Sequence, residues 1–356
     1  MRTSLRLLLV LTIGLVLSAA TLRAEFLFMS SGNGINTYLI NQDGTLTLIS
    51  GPSAVYGSIA VDIFGRFLYA LGDNTVSAFK INSTGAVSLI ATSPTGINPS
   101  SVAVDVLGRF VYVANAGPFK YPEVPSNVSA YRIGFNGALT PVSGSPFPAG
   151  IFPLAVAVDT FGRFVYVANY GTQALADETI SGYWIAGDGA LIPLPGSPYP
   201  NGEGPQSIAI DPFGRFTYTA NFYDQVFSAY RIERGGILQQ LPGSPYPVDS
   251  SSNIVVADPF GRFVYIANYF NRVSAYRVGF NQMTEVPGSP FFLGPTSYYI
   301  KAMAIDFSGR FVYVAEYNFV SRQDEVSTYR IGANGALALV PGTTIAAEAD
   351  AMAVCP

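Results

Sequence analysis

Apolar and polar positions alternate with a period of two through most of this 356-residue chain, in short runs cut by Gly, Pro and Asn-Gly pairs. That alternation predicts half-buried or sandwiched β-strands joined by tight turns. One phrase recurs six times, Asp-x-x-Gly-Arg-Phe followed by an alternating apolar strand. Its glycines, Gly65, Gly108, Gly162, Gly214, Gly261 and Gly309, stand 43, 54, 52, 47 and 48 residues apart. The elements around each keep one order. A strand of small residues, such as Ser101 to Asp105, leads into the Gly turn, and Phe110 to Asn115 forms a second strand leaving it. A loop of variable length precedes a third strand from Val128 to Ile133. The Asn136-Gly137 turn then opens a fourth from Ala138 to Val142, and Gly144-Ser-Pro146 is read as the end of the unit.

Four short antiparallel strands in such a unit make one twisted sheet, and a ring of these sheets is a propeller. Six phrases nevertheless predict seven blades. Ala24-Glu-Phe-Leu-Phe-Met aligns with Gly65-Arg-Phe-Leu-Tyr-Ala, and Tyr38 to Gly44 supplies a third strand and its turn. This first unit lacks only an inner strand. Ala351-Met-Ala-Val-Cys355 matches Ala302-Met-Ala-Ile-Asp306 position for position and can fill the gap. The expected architecture is therefore all-β: a seven-bladed β-propeller of four-stranded antiparallel blades, closed by a C-terminal strand completing the N-terminal blade. Closure also removes exposed sheet edges.

The N-terminus follows a different pattern. Arg2 and Arg6 precede an apolar run from Leu7 to Leu17, and small residues follow at Ser18, Ala19 and Ala20. This reads as a signal peptide over residues 1–24, cleaved after Ala20 or Ala24, ahead of a single propeller domain over 25–356. No Cys follows the apolar run, so no lipid attachment site is expected. The expected location is periplasmic or secreted, with no membrane span once the signal is removed. Formal charge moves from −4 to −6 or −7 on cleavage. With no Lys/Arg cluster, nucleic acid is not an expected partner. Asn82 and Asn127 fall in Asn-x-Ser/Thr sequons, relevant only where a host glycosylates.

The second strands end in Tyr112-Val-Ala-Asn115, Tyr166-Val-Ala-Asn169, Tyr218-Thr-Ala-Asn221 and Tyr265-Ile-Ala-Asn268, with Tyr313-Val-Ala-Glu316 departing at its last position. These motifs resemble those of the lactonase-like seven-bladed propellers, including the Tyr-Val-Thr-Asn repeats named after surface-layer proteins. The resemblance spans essentially the whole chain after the leader. It implies the propeller fold, and among its members 6-phosphogluconolactonases and muconate-cyclising enzymes. The latter use a His with Arg and Glu, and this chain has no His. A phosphorylated cytosolic lactone is also a substrate that an exported protein would not meet.

Repetition identifies the residues that serve the blades. Asp62, Asp105, Asp159, Asp211, Asp258 and Asp306 stand three residues before each turn Gly, and an Arg follows that Gly. Each Asp is expected to accept turn amides and each Arg to pair with it. Lys80, Arg132, Arg231, Arg277 and Arg330 share another repeat position, on the third strand. Beyond the leader, Lys120, Arg234, Arg272, Lys301 and Arg322 remain unclaimed.

All of these except Arg234 belong to one end of the ring, with the loops between second and third strands and the links between blades. There the sequence also gathers Tyr121, Glu123, Tyr170, Asp177, Glu178, Tyr223, Asp224, Tyr269, Tyr298, Tyr299 and Tyr317. The loops are longest in the third and fourth blades, over 116–127 and 171–180. Candidate ligand-binding residues are Asn115, Asn169, Asn221 and Asn268 at the strand ends, with Lys120, Tyr121, Tyr170, Tyr223, Tyr269, Lys301 and Tyr317 in the loops. Glu316, a carboxylate where the other blades carry an amide, is the candidate acid or base, with Arg322 and Arg272 as its cationic partners.

Absence excludes more chemistry than presence suggests. Without His there is no Ser-His-Asp or Cys-His system and no His-ligated metal. Cys355, the one cysteine, holds the repeated Asp position of the closing strand and reads as a buried thiol. No phosphate loop, dinucleotide fingerprint or calcium loop occurs, so neither metal nor cofactor is expected. Two readings follow. In the first, a monomeric, non-catalytic propeller binds a glycan, small molecule or protein at its loop-end mouth. In the second, the chain hydrolyses a sugar or related lactone, with Glu316 as base and Arg272 or Arg322 polarising the carbonyl.

Overall fold

The computed structural model describes residues 24–51, 57–118, 126–171, 177–294, 298–319 and 322–355. Residues 1–23 of the expected leader therefore fall outside the described residues, as do Lys120, Tyr121 and Glu123. Every regular element among them is a strand, and no helix is long and apolar enough to cross a membrane.

The strands form seven separate antiparallel sheets. In the first, Ala351–Cys355 pairs with Glu25–Ser31, which pairs with Gly34–Ile40 and then Leu46–Ser50. The register sets Leu27 opposite Val354 and Met29 opposite Met352, so the chain's last strand completes its first blade. The inner strands touch their neighbours around the ring without interruption, from Ala351–Cys355 through Ile59–Val61 and onward to Tyr298–Ile305 and back. This is a closed seven-bladed propeller.

In blades three to seven the fourth strand is broken rather than ended. A Gly-Ser-Pro segment, replaced by Gly342-Thr-Thr344 in blade seven, interrupts it, and a short piece such as Phe147–Pro148 then pairs with the start of the third strand. The break leaves a third-strand amide without its ladder partner. The segment's own hydroxyl replaces it: Ser145 Oγ accepts from Ala130 N at 2.8 Å, and Ser197, Ser244, Ser289 and Thr343 repeat the arrangement.

Two aromatic contacts recur between successive blades from the second to the seventh. A third-strand Tyr donates to the carbonyl that ends the preceding blade, as in Tyr183 to Pro148 O at 2.5 Å and Tyr230 to Pro200 O at 2.8 Å. A second-strand Tyr donates to the glycine of the next blade's outer turn, as in Tyr112 to Gly189 O at 3.1 Å. That glycine lies against the Phe of the Gly-Arg-Phe phrase, so a Cβ at Gly137 would stand 2.4 Å from the Phe67 ring. Blade six lacks the glycine. Its turn Gly279–Gln282 is one residue shorter, joining Val278 directly opposite Met283. Tyr218, the tyrosine that would have reached it, is buried with an unpartnered hydroxyl.

The Asp-x-x-Gly-Arg-Phe turn is built as expected. Asp105 is fully buried; its Oδ1 accepts from Arg109 N and Phe110 N, and its Oδ2 takes Arg109 Nε at 2.8 Å. The guanidinium then donates to Gly162 O of the next blade at 3.0 Å. All these turns lie at one end of the ring, the turn end, and leave the other, loop end to the irregular segments.

Candidate functional site

The strand-end amides are buried. Asn115, Asn169, Asn221 and Asn268 are all fully covered, and their Nδ2 groups donate to third-strand hydroxyls: Ser129 at 2.9 Å, Ser181 at 2.9 Å, Ser228 at 2.8 Å and Ser274 at 2.7 Å. They clamp the second strand to the third and present no atom to the mouth.

Glu316 takes the same position in blade seven and is also buried. Its carboxyl is pushed up to about 8, chiefly by burial, with Glu325 opposite it in the sheet adding repulsion. Asn271 stands close enough to favour the ionised form, although neither of its polar atoms completes a hydrogen bond. Tyr329 lies 3.5 Å away, and its single hydrogen goes to Leu293 O at 2.8 Å. A protonated Glu316 is then the donor that fits the phenol oxygen. No arginine is among these neighbours. Arg272 is held by Asp249 at 2.7 Å, and Arg322 occupies an exposed turn at positive φ with its amide on Asn318 O. The structure does not gather the proposed base and its cationic partners into one site.

A different set converges. The inner strands of blades three to seven carry a bulge that leaves one residue unpaired: Ser100, Leu154, Gln206, Asn253 and Lys301. Bulged side chains join neighbouring blades. Ser100 donates to Pro153 O at 2.7 Å and Asn253 to Ile300 O at 2.8 Å, while Lys301 reaches Asp350, just before the closing strand, at 2.5 Å. Lys301 also holds Asp324 at 2.8 Å. Burial opposes its charge, but the two carboxylates outweigh that and raise its pKa.

Beside this ring runs an arc of aromatic side chains contributed by four blades. Successive centroids of Phe152, Tyr170, Tyr223, Phe222, Tyr269 and Tyr299 are 6.2, 5.7, 5.2, 5.3 and 4.9 Å apart. Two polar contacts tie arc to ring, Gln206 with Tyr170 and Asn253 with the Tyr299 hydroxyl at 3.5 Å. Burial, then the 2.7 Å hydrogen bond to Tyr223, pushes the Tyr170 phenol up to about 12, so it stays neutral. Tyr317 pairs instead with Phe319 at 5.0 Å.

The loop end is acidic. Among the described residues it carries three basic side chains, Arg272, Lys301 and Arg322, against eleven acidic ones. Asp177 and Asp224 anchor linking segments by accepting from Ile151 N and Glu203 N. Glu178 has its pKa raised by partial burial and by Glu203 and Asp224. Among the described residues no group of three or more His, Cys, Asp or Glu is placed to hold a metal ion. Lower in the channel, a cavity of about 330 Å³ lies between the inner strands of blades five, six, seven and one, lined by apolar residues such as Val256, Met303 and Phe307.

Neither a family model nor a curated protein matches this chain. Solved structures do. The periplasmic gluconolactonase PpgL of Pseudomonas aeruginosa is 15% identical with a TM-score of 0.73, over 93% of this chain and 98% of that one. Candidate 6-phosphogluconolactonases of Bacteroides uniformis and Bacteroides fragilis are each 18% identical, with TM-scores of 0.75 and 0.73. They cover 93% and 94% of this chain, and 99% of their own lengths. The fold is that of the lactonase-like seven-bladed propellers.

Gln206, Asn253, Asp350 and Phe222 are absent from the set that sequence reasoning selected. The available signal was the position five residues before each repeated Asp, where Gly57, Ser100 and Leu154 give way to Gln206, Asn253 and Lys301.

Proposed function

We propose that the chain is a binding propeller whose loop-end mouth holds an uncharged, polyhydroxylated ligand of the sugar or sugar-lactone class. The observation that carries this reading is the aromatic arc from Phe152 to Tyr299 running beside the polar side chains of Gln206, Asn253 and Lys301. Ring faces take the apolar side of a pyranose, and neighbouring amide and phenol groups take its hydroxyls. Charge sets the class further. Lys301 is already matched by Asp324 and Asp350, and the surrounding surface is acidic, so a phosphate or carboxylate would meet repulsion. The gluconolactonase name of one structural neighbour fits a hydroxylated ring of this kind.

Titration calorimetry against neutral sugars, sugar lactones and their phosphorylated counterparts tests the reading, with lactone hydrolysis followed in parallel. Neutral ligands are expected to bind without turnover. Tyr269→Ala, which removes the ring between Phe222 and Tyr299, is expected to weaken binding at least tenfold, on the scale of about 1–3 kcal/mol for a lost stacking partner. Preference for a phosphorylated ligand would overturn the charge argument. Turnover abolished by Glu316→Gln would replace binding with hydrolysis.

A further inference from the structure

The turn end of the ring differs from the loop end in both composition and charge. Around its centre stand Phe64, Leu107, Phe161, Phe213 and Phe260, all exposed, one from each of blades two to six. Four of these phenylalanines have the guanidinium of their own turn over the ring, at 4.7 to 5.1 Å. Farther out, Phe135 and Phe280 project from the outer turns of blades three and six, at 108% and 82% exposure. These tips come from blades far apart in the ring, so they cannot form one compact patch for a protein hot spot.

The third-strand cations point to the same end. Lys80, Arg132, Arg277 and Arg330 are exposed and lie across from the Phe of the Gly-Arg-Phe phrase in strand register, and Arg132 and Arg277 also donate to carbonyls of the outer turns. In blade four this position is Trp184, opposite Phe164 and 46% exposed. Among the described residues twelve basic side chains lie at the turn end against eleven acidic ones, and five of each are engaged in the pairs that Asp62, Asp105, Asp159, Asp211 and Asp258 make with the Arg of their own turns. The opposite end is strongly acidic, so an anionic plane would orient the molecule turn end first.

We infer that the turn end is a docking surface for an anionic lipid bilayer. Phe135, Phe280 and Trp184 would enter the interfacial layer, and the surrounding Lys and Arg would face lipid phosphates. Protruding aromatic side chains spread over a cation-rimmed face suit a fluid partner that closes around each tip. Trp184 is the chain's one tryptophan, so its emission reports on this face alone.

The test uses the full chain and vesicles of phosphatidylglycerol or of phosphatidylcholine, with sedimentation and Trp184 emission read together. The expected result is cosedimentation with phosphatidylglycerol, a blue shift of Trp184, and loss of both at high salt. The double variant Phe135→Ser, Phe280→Ser alters two exposed turn tips and the surface contact of Phe280 with the Arg231 guanidinium at 5.3 Å, and is expected to bind at least tenfold more weakly while staying folded, with a melting temperature within a few degrees of the parent's. Both chains share one N-terminal segment, so its own affinity cancels in the comparison. Sedimentation without a Trp184 shift, or equal binding by the variant, would overturn the proposal. A dimer dispersed by the double substitution without any vesicle binding would also overturn it, and would make this face a contact between copies.

Discussion

Glu316→Gln is expected to raise the melting temperature by about 3–8 °C at pH 8 and to change it little near pH 4. Glu316 is buried with its pKa raised from 4.5 to about 8, so the folded state keeps a proton that the unfolded chain releases above pH 4.5. The sign follows from linkage: between these values the folded state binds more protons, so stability falls as pH rises. This contribution is fully present below pH 4.5 and is lost by the time pH passes 8, at a slope of up to about 1.4 kcal/mol per pH unit. Gln keeps the size and a hydrogen-bond donor for Tyr329 but cannot ionise. Melting curves from pH 4 to 9 therefore diverge between the two chains, and parallel curves would show that Glu316 is not buried neutral. The comparison also separates this residue from Glu25, whose carboxyl burial and Asp306 push up to about 7 in both chains.

Two adjacent glycines are expected to behave very differently. Gly235 and Gly236 share a φ near +86 in the outer turn of blade five, so Ala costs each about 1–2 kcal/mol in backbone strain. A Cβ on Gly235 meets nothing within 4 Å, whereas on Gly236 it stands 2.5 Å from the Phe164 ring of the preceding blade. Phe164 is buried and cannot move without disturbing the blade interface, where Tyr166 also donates to Gly236 O at 2.6 Å. Overpacking there adds about 1–3 kcal/mol. Urea denaturation of Gly235→Ala and Gly236→Ala checks this, and equal losses would mean that the turn-to-Phe contact carries no weight between blades.

Architecture was legible because blade identity lies in local alternation and turn chemistry. Asp105 with Gly108, and Ala351 to Val354 repeating Ala302 to Ile305, gave the turn and the closing strand directly. Gly-Ser-Pro was less transparent: as a unit's end it hides a strand that breaks and resumes, because the Ser hydroxyl substitutes for a ladder partner several residues away. The candidate site was legible only in part. Tyr170, Tyr223, Tyr269 and Lys301 could be assigned to the loop end, but Gln206 and Asn253 depend on a bulge that no alternation records. Phe222 was not selected, although it joins Tyr223 to Tyr269. Glu316 misled for a related reason. A carboxylate replacing a repeated amide suggests an open mouth, yet the position itself is covered in every blade that carries the amide.

The closing strand has a consequence for how the molecule comes into being. Glu25–Ser31 is among the earliest parts of the propeller to be synthesised, and its partner Ala351–Cys355 is among the last. Until that partner arrives, the strand carries an unsatisfied edge and the circle of inner strands has a gap. Six blades can assemble as the chain emerges, but the first waits for both ends to meet. Loss of the final few residues would thus injure the opposite end of the sequence first, exposing the oldest strand to proteases and to other chains.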